Sequence, residues 1–290
     1  MSELQQREEP ALWRAITWTL RITVACQCLG NWRWLAQIEE TPLLGWLHDP
    51  VDIGGWNWSE ASSLAVVHTV GWLALLAGFL VVLRPCAFVL LPLTLLQAVL
   101  ATAMWQIDDG FPLEVAWLSP QVAALFPYTT QAARIVAPLG LMLVDPWRGQ
   151  RHERLAIPML RWGAAIAFFA HGIEAWQHHP VFVDLMIGSS ERLLGWRMSQ
   201  AVAEQLLSIL GVVDMVVSVA CVTCRCQPVL WWMAFWGAVT ASSRIAANGW
   251  DMAWHTALVR APHAGIPLAV LLYFRWIEWR KKAELRRTPQ

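Results

Sequence analysis

The sequence is short of charge. Only 14% of its 290 residues are Asp, Glu, Lys or Arg, 57% are hydrophobic, and the formal net charge is zero. A soluble chain of this length needs more charge on its surface, so the composition argues against a soluble globular protein. No nucleic-acid partner is expected.

A secretory signal peptide is also lacking. Residues 1–10 are polar and include Glu8 and Glu9, and the first apolar segment carries Arg14 and Arg21. A signal peptide has a basic start followed by a short uncharged apolar stretch. We therefore interpret this first apolar segment as a membrane helix.

The cysteines are too few for a closed metal site. Cys221, Cys224 and Cys226 form a C-x-x-C-x-C sequence, but a structural zinc or iron–sulfur site needs about four ligands. A C-x-x-C pair is also typical of redox proteins, so the role of these cysteines stays open. We predict no metal site.

What the chain has in quantity is long apolar runs. A helix that crosses the roughly 30 Å hydrocarbon core needs about 20 residues. Eight segments reach this length: 11–35, 62–83, 85–107, 121–145, 155–177, 201–223, 227–248 and 251–278. The pattern predicts an all-α, polytopic membrane protein with eight transmembrane helices, whose first partner is the lipid bilayer.

Charged residues alternate between loops. Acidic residues gather at 39–60, 108–114 and 184–191, and basic residues gather at Arg84, Arg148, Arg151, Arg154, Arg225 and the tail 280–287. By the positive-inside rule, both termini lie in the cytoplasm. We expect a multi-pass protein of a bacterial inner (cytoplasmic) membrane.

The two halves of the chain follow the same plan. Gly71 and Gly211 stand in similar apolar segments, Leu20-Arg21 returns as Leu160-Arg161, and the segment around Pro138 returns around Pro267. We predict two four-helix units, residues 1–150 and 151–290. Because each unit has an even number of crossings, the two form a parallel repeat.

Tryptophan is abundant, with 21 residues against only two tyrosines. Indole rings favour the headgroup level of a membrane, so an aromatic belt accounts for most of them. The excess on the acidic, outer side also permits an aromatic-walled pocket there, with Trp176 in its wall, or a docking surface for membrane-protein partners.

Several ionisable residues fall inside the predicted spans, where a charge is costly and marks a functional site by default. The alternative is that they pair with one another and hold the bundle together. His171 and Glu174 share one helix face because they are three residues apart. Asp214, Arg244 and His263 come from three other helices of the same half.

These residues suit proton and oxyanion chemistry. Histidine beside a carboxylate relays protons near neutral pH, and arginine anchors an oxyanion or a quinone carbonyl. We assign catalytic roles to His171, Glu174 and Asp214. Ligand-binding roles go to Arg161, Arg244, His263 and Trp176. The cofactor is not determined: a quinone or small anion is favoured, and a haem held by His171 and His263 is disfavoured.

The second half also resembles a known family. Leu160-Arg161, Phe168-Phe169, His171-Gly172 and Glu174-Ala175 look like the first helix of DoxX-like proteins. Asp214 matches the acidic residue that this family carries in its next helix. The first half resembles the pattern less, since Leu29 replaces the histidine. The resemblance implies tandem four-helix units and a quinone-linked membrane redox system, and gives importance to Arg161, His171, Gly172 and Asp214.

Three functions therefore stay open. The leading hypothesis is a quinone-linked redox protein, or the membrane subunit of a redox complex. The alternatives are a non-catalytic structural subunit of a larger membrane assembly and a small-solute transporter, since parallel repeats with charges near the midplane also suit alternating access. Whether the chain is an enzyme is left undecided.

Overall fold

The computed structural model describes residues 3–38, 40–107, 125–145 and 152–285, with side chains from residue 11 onward. Within these ranges the chain is helical and contains no strand, which confirms the predicted all-α class. The predicted outer loop 108–114, most of the connector between the two halves and the basic tail beyond Leu285 lie outside the described residues.

The first half begins with one long helix and ends with two short ones. A π-helical turn, Trp34–Ile38, extends the first helix, and a 3-10 turn, Val51–Ile53, precedes the third. The helices are α1 (Glu3–Arg33), α2 (Pro42–His48), α3 (Glu60–Leu83), α4 (Ala87–Gln106), α5 (Phe126–Thr130) and α6 (Ala132–Val144).

Residues 152–285 of the second half form six helices, and glycines with positive φ mark two of the joints between them. Gly195 (φ 72°) ends the second helix of this half, and Gly249 (φ 86°) joins the fourth to the fifth. The helices are α7 (Glu153–Trp176), α8 (Pro180–Leu194), α9 (Gln200–Thr223), α10 (Gln227–Asn248), α11 (Trp250–Val259) and α12 (Ala261–Leu285).

Among the helices that the structure describes, four are long and apolar enough to cross a membrane: α3, α4, α7 and α9. The pair α11 and α12 passes the same test as one span, with a 43° bend between its two helices. The described chain thus supplies four or five of the eight predicted crossings by length and composition. The remaining crossings stay a prediction.

Large apolar side chains on these helices point away from the protein. Phe88 is 93% exposed, Leu83 76% and Val216 63%. A soluble protein rarely leaves such residues in contiguous exposed patches, whereas lipid-facing helices do so along their length. The exposed faces therefore agree with the membrane character that the composition predicts.

The two halves pack by matching contacts. α1 packs on α3 as α7 packs on α9, and α4 packs on α6 as α10 packs on α12. Between the halves, α1 lies against α12 as α7 lies against α6. The buried core runs through both halves, and Trp13 and Trp276 meet within it with their ring centroids 5.1 Å apart.

The matching extends to individual residues, which from α1 through α4 correspond at a spacing of 140 residues, as from Gly71 to Gly211. A Cβ on Gly71 would lie 2.8 Å from the Cβ of Ala36, and a Cβ on Gly211 would lie 2.9 Å from the Cβ of Trp176. In the first half the π-helical extension of α1 meets α3 at Gly71, and in the second half α7 meets α9 at Gly211. Nearer the end of each half the spacing falls to 129 residues, because Gln131, which joins α5 to α6, corresponds to Arg260, which joins α11 to α12.

Candidate functional site

The second half encloses a cavity of about 360 Å³. Its walls come from α7, α8, α9, α10 and α12 and are mostly apolar, with Phe168, Phe182, Leu185, Met186 and Leu207 among them. Polar side chains also line it: His171, Asp214, Thr240, Arg244, Arg260 and His263. Such a mainly apolar cavity with a few converging polar groups is typical of a small-molecule site.

Two histidines meet beside the cavity. The rings of His171 and His263 have their centroids 5.3 Å apart and are tilted by 42°. The Nδ1 of His171 lies 2.8 Å from the Oε2 of Glu174, one helical turn further along α7. This contact gives His171 a carboxylate partner of the kind that orients histidines in proton transfer.

His263 keeps one nitrogen free for a ligand. Its Nδ1 lies 3.1 Å from the backbone carbonyl oxygen of Arg260, so Nδ1 carries the proton and donates to that oxygen. Its Nε2 is buried and has no hydrogen-bond partner among the described residues. In the neutral ring this nitrogen is an acceptor.

Among the described residues, only one of the two carboxyl oxygens of Asp214 has a hydrogen-bond partner. Its Oδ2 accepts a hydrogen bond of 3.3 Å from the indole nitrogen of Trp236, while its Oδ1 is buried and has no partner in the described chain. The side chain is only 7% exposed. A buried carboxyl oxygen without a partner is costly, which makes this atom a candidate contact for a bound molecule.

Two arginines line the cavity, and a third lies behind it. Arg244 donates to the carbonyl oxygen of Thr240 at 2.9 Å, and Arg260 donates to that of Thr256 at 3.4 Å, each within its own stretch of helix. The third, Arg134, comes from α6 of the first half and is 6% exposed, and its Nε has no partner among the described residues.

Helix α8 covers the cavity and is capped by a histidine. The Nδ1 of His179 accepts a hydrogen bond of 3.2 Å from the backbone amide of Val181, which fixes the first turn of α8. Burial lowers the pKa of His179, against the opposing effect of Glu174. The ring is therefore neutral at pH 7, as its role as an acceptor requires.

The structure brings together four of the seven predicted site residues around the cavity, and a fifth contacts them. His171, Asp214, Arg244 and His263 line it. Glu174 lies behind His171, 2.8 Å from its ring nitrogen.

Two predicted ligand-binding residues lie elsewhere. Arg161 lies toward the opposite end of α7, where it donates to the backbone carbonyl oxygens of Cys221 and Cys224 and lies over the ring of Phe274. Trp176 is 43% exposed and packs at Gly211 rather than at the cavity. These contacts give both residues a place in helix packing.

Arg260, Trp236 and the residues of α8 also line the cavity and are not among the site residues predicted from the sequence. Arg260 is detectable in the sequence, because it stands three residues before His263 and directly after the segment Trp250–Val259. The apolar lining from α8, such as Phe182 and Met186, carries no sequence signal, since the same residue types fill ordinary cores.

Three of the polar positions of the cavity are apolar in the first half. By the 140-residue spacing, Asp214 corresponds to Ala74, Thr240 to Leu100 and Arg244 to Met104. Leu100 belongs to a buried cluster with four other apolar side chains, Leu35, Leu43, Leu47 and Val67. At these three positions the first half thus has an apolar side chain where the second half has a polar one that lines the cavity.

The site fits neither a haem nor a metal ion well. The rings of His171 and His263 pack directly against each other, which leaves no space for a porphyrin plane between them. No group of three or more His, Cys, Asp or Glu side chains within the described ranges is arranged to hold a metal ion. All six cysteines are free thiols, and Cys221 is buried while Cys224 is exposed.

Comparisons with protein-family models, with curated proteins and with solved structures return no match. The resemblance to DoxX-like proteins therefore stays a prediction from the sequence.

Proposed function

We propose that the chain is a quinone-linked membrane protein, acting as a redox protein or as the membrane subunit of a redox complex. It crosses a bacterial inner membrane eight times as two parallel four-helix units, with both termini in the cytoplasm. The matching helix contacts of the two halves support the repeat. A relationship to the DoxX-like family belongs to the same proposal.

The observation that carries the proposal is an apolar cavity that ends in buried polar atoms without partners. A quinone has a flat apolar ring and tail and two carbonyl oxygens that accept hydrogen bonds. The cavity offers apolar walls for the ring, and guanidinium N–H groups of Arg244 and Arg260 for a carbonyl oxygen. A small inorganic ion would leave most of these walls without contact.

The pair of His171 and Glu174 supplies the proton route of this proposal. Reduction of a quinone to a quinol takes up two electrons and two protons, one proton for each carbonyl oxygen. The electrons come from a redox partner or a reduced substrate. A histidine 2.8 Å from a carboxylate delivers or removes the protons at neutral pH.

The test is to extract the protein in a mild detergent and quantify the quinone that purifies with it. Wild-type protein is expected to retain quinone, and quinone reduction is expected to depend on His171. The variant His171→Ala should lose turnover by about 10²-fold or more, the usual size of a general acid–base contribution, while unfolding at the same temperature. Quinone absent from the purified wild type would contradict the proposal.

A structural subunit is the second candidate, because one end of the molecule is rich in exposed indoles. Trp56, Trp58, Trp196 and Trp250 are 49%, 41%, 49% and 66% exposed, and all lie at the end where α8 lies. Aromatic residues of this kind are enriched in protein interfaces. Native mass measurement after gentle extraction distinguishes this role, since a scaffold should retain partner subunits and tolerate His171→Ala.

A further inference from the structure

The charges around the cavity do not balance locally. Arg134, Arg244 and Arg260 make no ion pair with any residue that the structure describes. Of the two nearby carboxylates, Glu174 contacts His171 and attracts Arg244 and Arg260 only from a distance, and Asp214 accepts from Trp236. Three guanidinium groups thus share two carboxylates at one end of an apolar cavity, and none of the three is in contact with either.

The first half shows that this charge is not required by the architecture. The counterpart of Arg244 is Met104, at the 140-residue spacing, and that of Arg260 is Gln131, at the 129-residue spacing. The Nε2 of Gln131 lies 2.7 Å from the Sδ of Met104. One half therefore holds a neutral contact where the other brings two arginines within electrostatic reach of each other. Neutral side chains at these two positions are therefore compatible with this arrangement of helices.

Buried arginines without counter-charges are costly in a membrane protein, and they persist where a ligand or a partner supplies the missing charge. Arg134 and Arg244 are only 6% and 8% exposed, so water screens them poorly. Arginine presents several N–H donors and no acceptor, which matches an anionic oxygen group.

The residues that line the cavity indicate that the remainder of the ligand is apolar. Phe182, Leu185 and Met186 line it, and so do Leu193 and Leu194 at the end of α8, which are 69% and 65% exposed. This exposed rim gives the cavity an apolar border. A ligand with a long apolar portion gains from contact with these walls, whereas a bare inorganic anion gains nothing there.

We infer that the cavity selects a lipid-soluble anion, with its negative head group at Arg244 and Arg260 and its apolar tail along α8. Arg134 adds positive charge from behind and is a positioning residue contributed by the first half. Where the ligand is a quinone, which rests on the function proposed above, the selected form is an ionised hydroxyquinone or a reduced, negatively charged quinone. The charge selection itself does not depend on redox chemistry.

Two probes of equal shape test this inference. A 2-hydroxy-3-alkyl-1,4-naphthoquinone is ionised at neutral pH, and the matched 2-methyl-3-alkyl compound is neutral. Binding to the purified full-length protein in detergent is measured by equilibrium titration for both. The anionic probe is expected to bind about tenfold or more tightly than the neutral one, the size of one or two charge-assisted hydrogen bonds.

The variants place residues of the first half at the corresponding positions of the second half. Arg244→Met with Arg260→Gln installs the neutral pair of the first half and should reduce the preference for the anionic probe to within about twofold. Arg192→Met removes an exposed arginine of α8 outside the cavity lining and should leave the preference unchanged, which controls for non-specific attraction of the anion. Each variant is compared with wild type for its unfolding temperature.

The outcomes separate this inference from the proposed function. Equal binding of both probes to wild type would overturn the charge selection and leave a quinone site standing. Failure of both probes to bind, with binding of a long-chain fatty acid but not of the matched alcohol, would support the selection and contradict the quinone. A preference that survives in the double variant would show that other groups cause it, and would overturn the assignment to Arg244 and Arg260.

Discussion

At the scale of single residues, one glycine in each half, Gly71 or Gly211, determines how closely two long helices approach each other. A Cβ on Gly211 would meet the carbonyl oxygen of Gly172 at 2.5 Å and the amide nitrogen of Trp176 at 2.6 Å. Both are backbone atoms, so the neighbouring helix would have to move as a whole. Close packing of α7 and α9 at this point therefore requires a glycine.

We predict that Gly211→Ala destabilises the protein by about 1–3 kcal/mol, the usual cost of overpacking. Thermal unfolding in detergent should show a lower midpoint for this variant. Gly188→Ala is the control, because its nearest new contact is the Cβ of Ala247 at 3.2 Å, on a small side chain. Equal midpoints for Gly211→Ala and wild type would show that α7 and α9 are not packed as described.

The sequence could indicate which residues are unusual but not how they meet. His171, Asp214, Arg244 and His263 were selected because ionisable groups are costly in lipid, and they do surround one cavity. Arg161 was selected by the same rule and lies elsewhere. The rule identifies side chains that are costly to place in lipid. The direction in which such a side chain points depends on the rotation of its helix, which a single sequence does not provide.

At the scale of helices, one arginine joins the outer members of the first half. Arg21 of α1 donates to the Oδ2 of Asp145, just after α6, through Nη2 at 2.7 Å and Nε at 3.1 Å. Asp145 is 4% exposed and Arg21 16%. In the second half Arg161 contacts Phe274 instead, so the same helix position uses a cation–π contact.

We predict that Asp145→Ala destabilises the protein by about 2–3 kcal/mol, because it leaves Arg21 largely buried without its carboxylate. The cost is below that of a fully buried pair, since Arg21 retains some contact with solvent. The double variant Arg21→Met with Asp145→Ala should recover part of the loss. Unfolding midpoints of the three proteins test this, and a single variant as stable as wild type would contradict the role of the pair.

The sequence predicted the short breaks between consecutive spans and missed a bend within one of them. The breaks between α3 and α4 and between α9 and α10 are three residues long and fall where the spans were predicted to end, at Arg84-Pro85 and Cys224–Cys226. The bend between α11 and α12 falls inside a run that was predicted as one straight span. Apolar composition is the same on both sides of such a bend, so only packing determines its position.

At the scale of the whole molecule, the number of crossings depends on α6. This helix has 13 residues, which at about 1.5 Å each gives about 20 Å, less than the hydrocarbon core. If α6 crosses together with the chain before it, Glu60 and Arg197 lie on the same side of the membrane. If α6 does not cross, they lie on opposite sides.

Eight crossings predict a specific labelling pattern in intact cells. Single cysteines at Glu60 and Arg197 should react with a membrane-impermeant maleimide, while cysteines at Arg84 and Arg225 should react only after lysis. The exposed native cysteines are first replaced by serine. Labelling of positions 60 and 197 from opposite sides would contradict the parallel repeat.

The helices of the second half are proposed to hold a lipid-soluble ligand, and the corresponding positions Leu100 and Met104 of the first half carry apolar side chains in place of Thr240 and Arg244. This proposal is tested most directly by native mass spectrometry of the gently extracted protein and two matched variants, Thr240→Leu and Leu100→Thr. We predict one bound lipid-soluble molecule per chain in wild type and in Leu100→Thr, and a clearly lower occupancy in Thr240→Leu, where a larger apolar side chain projects into the cavity and a polar group is lost. Wild-type occupancy in Thr240→Leu, or loss of the ligand in Leu100→Thr, would contradict the proposed site.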